Sequence, residues 1–264
     1  MKNIASRENP DFRLLLRAQE GKRPAGERAS DPLPVALEGP HLCSSWLNAV
    51  GQPELVFVDE ARLNQPELSA LAARVSGDRV RVCAPALFKM ASQVVHGQGI
   101  IFLVRAPQPV PPREIAENCL WLDRVQDPGN MGTLLRTAAA AGIRHVYAST
   151  GCVAAWSPKV LRSAQGAHVA LSVYEGQDLL ALRGALRIPM LVTALEHSHS
   201  LYGADLPQHA AWVFGNEGRG VSATLLEAAD LRVRIPQSEA VESLNVAVAA
   251  GICLFEQRRR FQPA

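Results

Sequence analysis

A strand-length apolar run that breaks directly into a glycine-rich loop constrains this chain more than any other stretch. Residues 210–214, Ala-Ala-Trp-Val-Phe, suit a buried strand, and residues 215–220, Gly-Asn-Glu-Gly-Arg-Gly, follow without a spacer. Glycine permits backbone conformations that a Cβ would forbid. We therefore expect a strand that ends in a tight loop, with a ligand close to the loop backbone.

The rest of the C-terminal half repeats a strand–helix pattern. Residues 231–236 alternate like a strand, and Ser243-Leu244-Asn245 leads into an alanine-rich helix. Further strands are predicted at residues 119–123, 145–148, 170–173 and 190–194, and helices at 133–141, 157–164 and 177–184. This alternation predicts an α/β fold with a mostly parallel sheet. Ligands of such sheets bind at the carboxyl ends of the strands, which is where Asn130, the glycine-rich loop and residues 243–245 fall.

Residues 33–106 predict a smaller α/β domain. Apolar strands are expected at residues 35–37, 55–58, 80–82 and 99–104, with helices between them. The pattern contains no nucleophile–base pair, which favours a role in recognition. Residues 107–116 begin with a proline-rich stretch and predict a semi-rigid linker at the domain boundary.

Residues 1–32 predict one amphipathic helix followed by a flexible basic linker. Two interpretations of this arm are open. It is either a solvated arm or an arm that binds phosphates through Arg7, Arg13, Arg17, Lys22 and Arg23.

Composition excludes several classes of protein. The net charge of +2 and the pI near 8.4 allow a polyanionic partner without requiring one. Five widely spaced cysteines predict buried free thiols in a reducing cytosol, and no apolar run approaches the roughly 20 residues of a membrane span. Phosphate-binding glycine motifs are absent, and His197 and His199 are a poor metal pair, so no metal is expected.

Three segments resemble, in order and spacing, the sequence motifs of the SpoU (TrmH-type) RNA ribose 2′-O-methyltransferases of the SPOUT superfamily. They are residues 122–139, residues 213–221, and Ile235-Pro236 with residues 243–249. Residues 37–41 and 97–100 are similar to segments of that family's L30e-like RNA-binding domain. The resemblance covers essentially the whole chain.

The resemblance implies a fold, a cofactor and a set of site residues. Residues 33–106 would be the L30e-like domain and residues 117–264 a catalytic domain with a trefoil knot, an exception to the general absence of knots. S-adenosylmethionine would be the cofactor, and the partner would be RNA, with ribosomal RNA before transfer RNA, in the cytoplasm. Positions implied to bind the cofactor are Thr193, Ala194, Gly215, Asn216, Gly218, Ile235, Pro236 and Leu244, and those implied to be catalytic are Asn130, Arg136, Glu217, Ser243 and Asn245.

The chemistry restricts the roles of these residues. A guanidinium with a pKa above about 12 is a poor base, so Arg136 is expected to clamp the target phosphate and stabilise alkoxide charge, with phosphate or water accepting the proton. Asn130 would orient Arg136 or the ribose, and Glu217 would fix the loop and Arg136. Ser243 and Asn245 would hold the nucleotide or the cofactor edge. A non-catalytic RNA-binding or ribosome-assembly protein and an RNA base methyltransferase are the alternatives.

The helix predicted from Val246 is apolar nearly all round, which is too much for a helix covered on one side. We expect a homodimer with this helix at the interface. Burial of the helix within its own domain by the knot is the alternative.

Overall fold

The structure, a computed structural model, describes residues 1–94, 97–238 and 240–261. The chain divides into two compact units, one formed by Met1–Pro107 with Trp156–Leu161 and the other by Gln108–Ala155 with Arg162–Ala264. The division after Pro107 falls inside the proline-rich segment. Within the described ranges, no helix combines the length and hydropathy that crossing a bilayer requires.

The first unit contains a five-stranded mixed sheet. Its strands are β1 (Lys2–Ile4), β2 (Pro34–Glu38), β3 (Leu55–Asp59), β4 (Val80–Cys83) and β5 (Ile100–Arg105), and its helices are α1 (Pro10–Gln19), α2 (Pro40–Ala49), α3 (Pro66–Ala73) and α4 (Pro85–Ala91). The order is β1-β4-β3-β5-β2, with β1, β4 and β3 parallel and β5 antiparallel to its neighbours. Each of these helices begins at a proline, whose fixed φ and missing N–H suit the first turn.

The helix predicted in residues 1–32 is formed as α1, but the segment is not a solvated arm. β1 pairs with β4, and Ile4, Phe12 and Leu15 are buried in the core of the first unit. The buried Arg81 of β4 donates a hydrogen bond to the carboxylate of Asp11 in α1. The apolar residues of the segment therefore anchor it to the sheet.

The basic side chains of this segment also bond within the unit. Arg105 forms ion pairs with Glu27 and Glu54 at 2.7 and 3.0 Å, which fixes the linker that follows α1. Of the five cations proposed to bind phosphate, four have partners in the unit: Arg13 with Glu8, Lys22 with Glu20, Arg17 with the Arg23 carbonyl, and Arg23 with the Asp31 carbonyl. These contacts disfavour the phosphate-binding arm.

The remaining elements belong to the second unit, apart from the start of α6. The strands are β6 (Cys119–Leu122), β7 (His145–Ser149), β8 (Ser172–Gln177), β9 (Met190–Thr193), β10 (His199–Ser200), β11 (Ala211–Phe214) and β12 (Leu231–Arg234). The helices are α5 (Pro128–Ala140), α6 (Pro158–Ala164), α7 (Leu179–Leu182), α8 (Ala223–Glu227) and α9 (Val246–Phe261). The order is β10-β12-β9-β11-β6-β7-β8, and neighbouring strands pair in parallel throughout the described part of this sheet, so the predicted mostly parallel α/β sheet is confirmed.

Some boundaries differ from the prediction. α5 begins at Pro128 rather than Thr133, because the Asp127 side chain caps it by accepting from the Asn130 amide at 2.7 Å. Asn130 thus lies in the first turn and does not cap the helix through its side chain. The strand expected at residues 170–173 begins at Ser172, since Ala167–Ala170 forms a 3₁₀ turn.

Gly132 allows α6 to cross closely over α5. A Cβ on Gly132 would lie 2.4 Å from the Cβ of Ser163 and 2.8 Å from the backbone nitrogen of Ala164. The Ser163 hydroxyl then donates to the Gly129 carbonyl at 2.9 Å. The first turn of α5 is therefore held from outside as well as by its cap.

α9 is anchored on one face and exposed on the other. The buried Gln257 accepts from the Trp212 indole N–H at 2.8 Å and donates to the Pro207 carbonyl at 2.9 Å. On the other face, Val248 and Phe255 are 51% and 46% exposed. The five cysteines are free thiols as predicted, and burial raises the pKa of Cys119 and Cys253 to about 12.

Candidate functional site

The carboxyl ends of neighbouring parallel strands bring most of the predicted site residues to one edge of the second sheet. Leu122 pairs with Phe214 at the ends of β6 and β11, and Thr193 pairs with Val233 near the ends of β9 and β12. The residues that continue from these ends are Asp123, Ala194, Gly215 and Ile235. This adjacency was expected from the parallel topology.

The glycines of the loop are needed for a different reason from the one predicted. A Cβ on the buried Gly215 would lie 2.2 Å from the carbonyl carbon of Gly220 and from the backbone nitrogen of Val221. The loop closes through mutual backbone hydrogen bonds of Asn216 and Gly220 at 3.0 and 2.8 Å, and Gly220 has φ +66°. Gly215 and Gly220 are thus required by the loop itself. At Gly218 a Cβ would meet only the Asn216 side chain, at 3.8 Å.

Asn216 uses its side chain within the protein. Its Oδ1 accepts from the amides of Gly218 and Arg219, both at 3.1 Å, and its Nδ2 donates to the Arg124 carbonyl at 2.9 Å. Asn216 therefore joins the loop after β11 to the segment after β6. The Asn216 side chain thus shapes the loop.

Sequence reasoning missed the pair Asp123 and Arg124. Asp123 is 4% exposed, its Oδ2 accepts from the Ser222 amide at 2.8 Å, and it forms an ion pair with Arg124 at 3.1 Å. Arg124 has φ +55°, unusual for a residue other than glycine. The signal available in the sequence was a charged pair directly after a buried strand. Together with Asn216, the pair secures both ends of the glycine-rich loop.

A chain of side-chain hydrogen bonds joins the three motif segments. Asn130 Nδ2 donates to Glu217 at 3.1 Å, and Asn130 Oδ1 accepts from Asn245 Nδ2 at 2.8 Å. Asn245 Oδ1 in turn accepts from the amides of Ala247 and Val248 at 2.9 and 3.3 Å, which caps α9. The α9 amides thus orient the Asn245 amide, and Glu217 orients the Asn130 amide.

Glu217 is held in its ionised form. Burial alone would raise its pKa, but hydrogen bonds from the Asn130 side chain and from the backbone amides of Glu217, Asp127 and Gln126 together lower the pKa below its ordinary value. Both carboxylate oxygens already accept hydrogen bonds. A lowered pKa and occupied oxygens make Glu217 a positioning group rather than a base.

Two predicted catalytic residues stay outside this chain of bonds. Arg136 and Ser243 are exposed, and neither side chain bonds to another residue in the described ranges. The expected contacts of Arg136 with Asn130 and Glu217 are therefore not formed. Of the predicted cofactor positions, Leu244 and Ile235 are half-buried and Pro236 is exposed.

The edge also presents backbone groups that are available to a ligand. Among the described residues, none accepts a hydrogen bond from the N–H of Gly215, Ile235 or Leu244. These groups follow or precede the elements that meet at this edge. The described part of the chain shows no cluster of three or more metal-ligating side chains.

Comparison with known proteins identifies a family and solved structures with the same architecture. The SpoU rRNA Methylase family model matches residues 117–255. An uncharacterized tRNA/rRNA methyltransferase of Synechocystis is 34% identical over 268 residues, with 98% of this chain and 94% of that protein covered. The 23S rRNA (guanosine(2553)-2′-O)-methyltransferase RlmP of Bacillus subtilis is 34% identical over 229 residues, covering 84% and 87%. The crystal structure of an AdoMet-bound rRNA methyltransferase from Sinorhizobium meliloti superposes with a TM-score of 0.85 at 25% identity, covering 98% of both chains.

The parallel sheet and its loop-lined edge thus define an RNA methyltransferase fold. Within that class, the chain belongs to the SpoU rRNA methylase family, and the resemblance seen in its three motifs is confirmed.

Proposed function

We propose that this protein transfers a methyl group from S-adenosylmethionine to a ribose 2′-oxygen of RNA, with ribosomal RNA the first candidate substrate and transfer RNA the second. The observation that carries the proposal is the hydrogen-bonded chain of Asn130, Glu217 and Asn245, one residue from each motif segment. Side chains from three segments that are far apart in the sequence thus meet at the edge where parallel sheets bind ligands, as expected of an active site. Relatives that methylate ribosomal RNA support the same conclusion.

The edge suits S-adenosylmethionine. The unpaired N–H groups of Gly215, Ile235 and Leu244 can bind an adenine or a carboxylate, while the half-buried side chains of Ile235 and Leu244 offer apolar contact. Thr193, Ala194 and Pro236 complete the same edge. When bound, the cofactor supplies an electrophilic methyl group on a sulfonium sulfur. We infer that the chain is knotted around this pocket; the support is that α9 returns to pack on α5 after the chain has placed β12 between β9 and β10.

The protein's own groups act mainly by positioning. In-line displacement needs the 2′-oxygen aligned with the methyl carbon, and alignment alone supplies a large part of such rate enhancements. Asn130 has one amide hydrogen left after bonding Glu217, and it can orient the ribose. Arg136 presents an unpaired guanidinium that can clamp the target phosphate and stabilise charge on the oxygen. Because Glu217 is fully hydrogen-bonded, phosphate or water accepts the proton.

We propose that the first unit is an L30e-like RNA-binding domain. Gly39 and Gly99 have φ +106° and +81°, and a Cβ on Gly39 would lie 2.2 Å from Gln98 Oε1. The Gly39 amide bonds the Ile100 carbonyl, and the Asp59 amide bonds the Gly99 carbonyl. These bonds gather the loops after β2 and β3 and before β5 at one edge, where they form a compact platform. His96 of this region lies outside the described residues.

We also propose a cytoplasmic homodimer with α9 at its interface. Val248 and Phe255 are exposed on the face that the second unit leaves open, and the half-buried Ile252 lies between them at helical spacing. Large exposed apolar groups on one helix face favour a partner. The opposite face is buried in the unit. The buried face supports the alternative of burial within the domain, and the exposed face supports the proposed dimer interface.

The decisive experiment follows labelled methyl transfer to total RNA from cells that lack the gene. Wild type should transfer label, and Arg136→Ala should lose most of the activity. Arg144→Ala is the matched control, because Arg144 is exposed and has no side-chain bond in the described ranges. It precedes β7 and so lies at the amino ends of the strands, away from the proposed site. Resistance of the modified position to alkaline cleavage distinguishes ribose from base methylation. Wild type that neither binds cofactor nor transfers label would support the non-catalytic RNA-binding alternative.

A further inference from the structure

The glycine-rich loop carries two charged side chains with opposite environments. Glu217 is exposed, but its carboxylate accepts hydrogen bonds from the Asn130 side chain and from the amides of Gln126 and Asp127. Arg219 is exposed, and its guanidinium makes neither a hydrogen bond nor an ion pair with any described residue. Hydrogen bonds therefore fix the loop's carboxylate in place, while its guanidinium has no partner among the described residues.

The backbone that carries Arg219 is fixed. The Asn216 side chain accepts from the Arg219 amide at 3.1 Å, and the loop closes between Asn216 and Gly220. Beyond the loop, the buried Asp123 accepts from the Ser222 amide at 2.8 Å. A side chain on such a rigid turn loses less freedom on binding than one on a mobile loop.

Other arginines that follow strands at this edge are already engaged. Arg124 gives two of its nitrogens to Asp123, and Arg234 donates to the Ser198 carbonyl. Elsewhere in the second unit, arginines with protein partners are Arg183, Arg187, Arg232, Arg258, Arg259 and Arg260. Arg219 shares its lack of a side-chain bond among the described residues with Arg136 and Arg144, and of these three it is the one carried by the glycine-rich loop.

We propose that Arg219 binds a phosphodiester of the RNA substrate next to the nucleotide that is methylated. This inference rests on the proposed function and adds a positioning residue to it. A guanidinium fork matches two phosphate oxygens, whereas an ammonium offers a point charge. Arg136 lies on a different element, α5, so the two arginines can hold different phosphates of one strand.

The test compares Arg219→Ala, Arg219→Lys and Arg144→Ala with wild type. RNA affinity is measured by filter binding across a salt series, and KM and kcat by methyl transfer to ribosomal RNA from cells that lack the gene. Arg219→Ala should raise Kd and KM for RNA about tenfold, as expected for a lost charge-assisted contact, and leave kcat and the Kd for S-adenosylmethionine within about twofold. The slope of log K against log salt should fall by about 0.7, the value for one phosphate contact on a single strand.

Arg219→Lys should keep the salt slope and lose part of the affinity, while Arg144→Ala should match wild type. The loop bonds use the Arg219 backbone, so melting temperatures should stay unchanged and show that the loop is intact. Equal RNA affinity of the two alanine variants would overturn the proposal. So would an equal rise in the Kd for S-adenosylmethionine, because that would place Arg219 on the cofactor carboxylate. Filter binding decides these points even for a protein that transfers no methyl group, so this inference and the proposed function can fail separately.

Discussion

Replacing Glu217 by Gln should remove hydrogen bonds that hold the glycine-rich loop against the start of α5, without changing the size of the side chain. Glu217 accepts from Asp127 N and Asn130 Nδ2 at 3.1 Å, from Gln126 N at 3.3 Å and from Asn216 Nδ2 at 3.5 Å. A glutamine has one carbonyl oxygen, which can keep the two shorter bonds. Its NH₂ group would then face two donors, so those bonds are lost.

The size of the effect follows from this count. Neutral hydrogen bonds contribute about 1 kcal/mol each and charge-assisted ones about twice that, and the exposure of Glu217 places the total near the lower end, at about 1 to 2 kcal/mol. For a protein of this size the melting temperature should fall by about 2 to 8 °C. The Kd for S-adenosylmethionine should rise, because Gly215 lies in the same loop and its geometry is less well fixed.

Differential scanning calorimetry and titration calorimetry measure both effects. Glu227→Gln is the matched control, since Glu227 is exposed on α8 and its side chain has no partner in the described ranges. The pKa of Glu217 is lower in the folded state than the ordinary 4.5, so its stabilisation is full above 4.5 and is lost as the pH falls through the folded-state pKa. The stability difference between wild type and Glu217→Gln should therefore shrink in acid. Equal melting temperatures of the two Gln variants at neutral pH would show that the Glu217 hydrogen bonds do not stabilise the fold.

Substitutions at three further residues test the remaining roles. Asn245→Ala removes the cap of α9 and the donor to Asn130, so stability should fall by about 1 kcal/mol and cofactor affinity with it; Asn245→Asp should keep the cap but lose turnover, as calorimetry and methyl transfer would show. Arg136→Lys should reduce methyl transfer at least about tenfold while the Kd for S-adenosylmethionine stays within about twofold, because the fork is lost and the charge is kept. Phe255→Glu should give a monomeric mass by light scattering at micromolar concentration where wild type gives a dimer; a monomeric wild type would contradict the interface.

The second sheet was largely predictable because its central strands are continuous apolar runs. Cys119–Leu122 and Ala211–Phe214 are buried along their whole length, so burial rather than alternation is the signal. The same topology rule predicted the edge where Asn130, Glu217 and Asn245 meet. Which of two neighbouring side chains caps a helix was not predictable in the same way. Asp127 and Asn130 are both good capping residues, and the backbone position of Pro128 decides in favour of Asp127.

The role of glycine in the loop could not be inferred from composition either. A glycine before a polar loop is equally consistent with a ligand close to the backbone and with backbone close to backbone. The distance from Gly215 to Gly220 and Val221 shows the second case. Arg136 illustrates a similar limit, because two residues of one helix reach the same site only if they lie on the same face of that helix. Six residues beyond Asn130, Arg136 is rotated by about 240° at 100° per residue, which is consistent with its lack of contact with that cluster.

The prediction for the N-terminal segment failed because the residues that contact this segment lie far away in the sequence. β1 is three residues long, too short for any periodicity to be visible, and its hydrogen bonds go to β4, where Lys2 pairs with Arg81. Basic residues around Phe12 and Leu15 gave the segment the composition of a solvated arm, although those two side chains are fully buried. Arg81 and Asp11 are 70 residues apart in the sequence, so their ion pair has no local sequence signature. A short edge strand stabilised by a distant partner is therefore the kind of element that sequence patterns miss, and here it converts an apparent tail into part of a domain core.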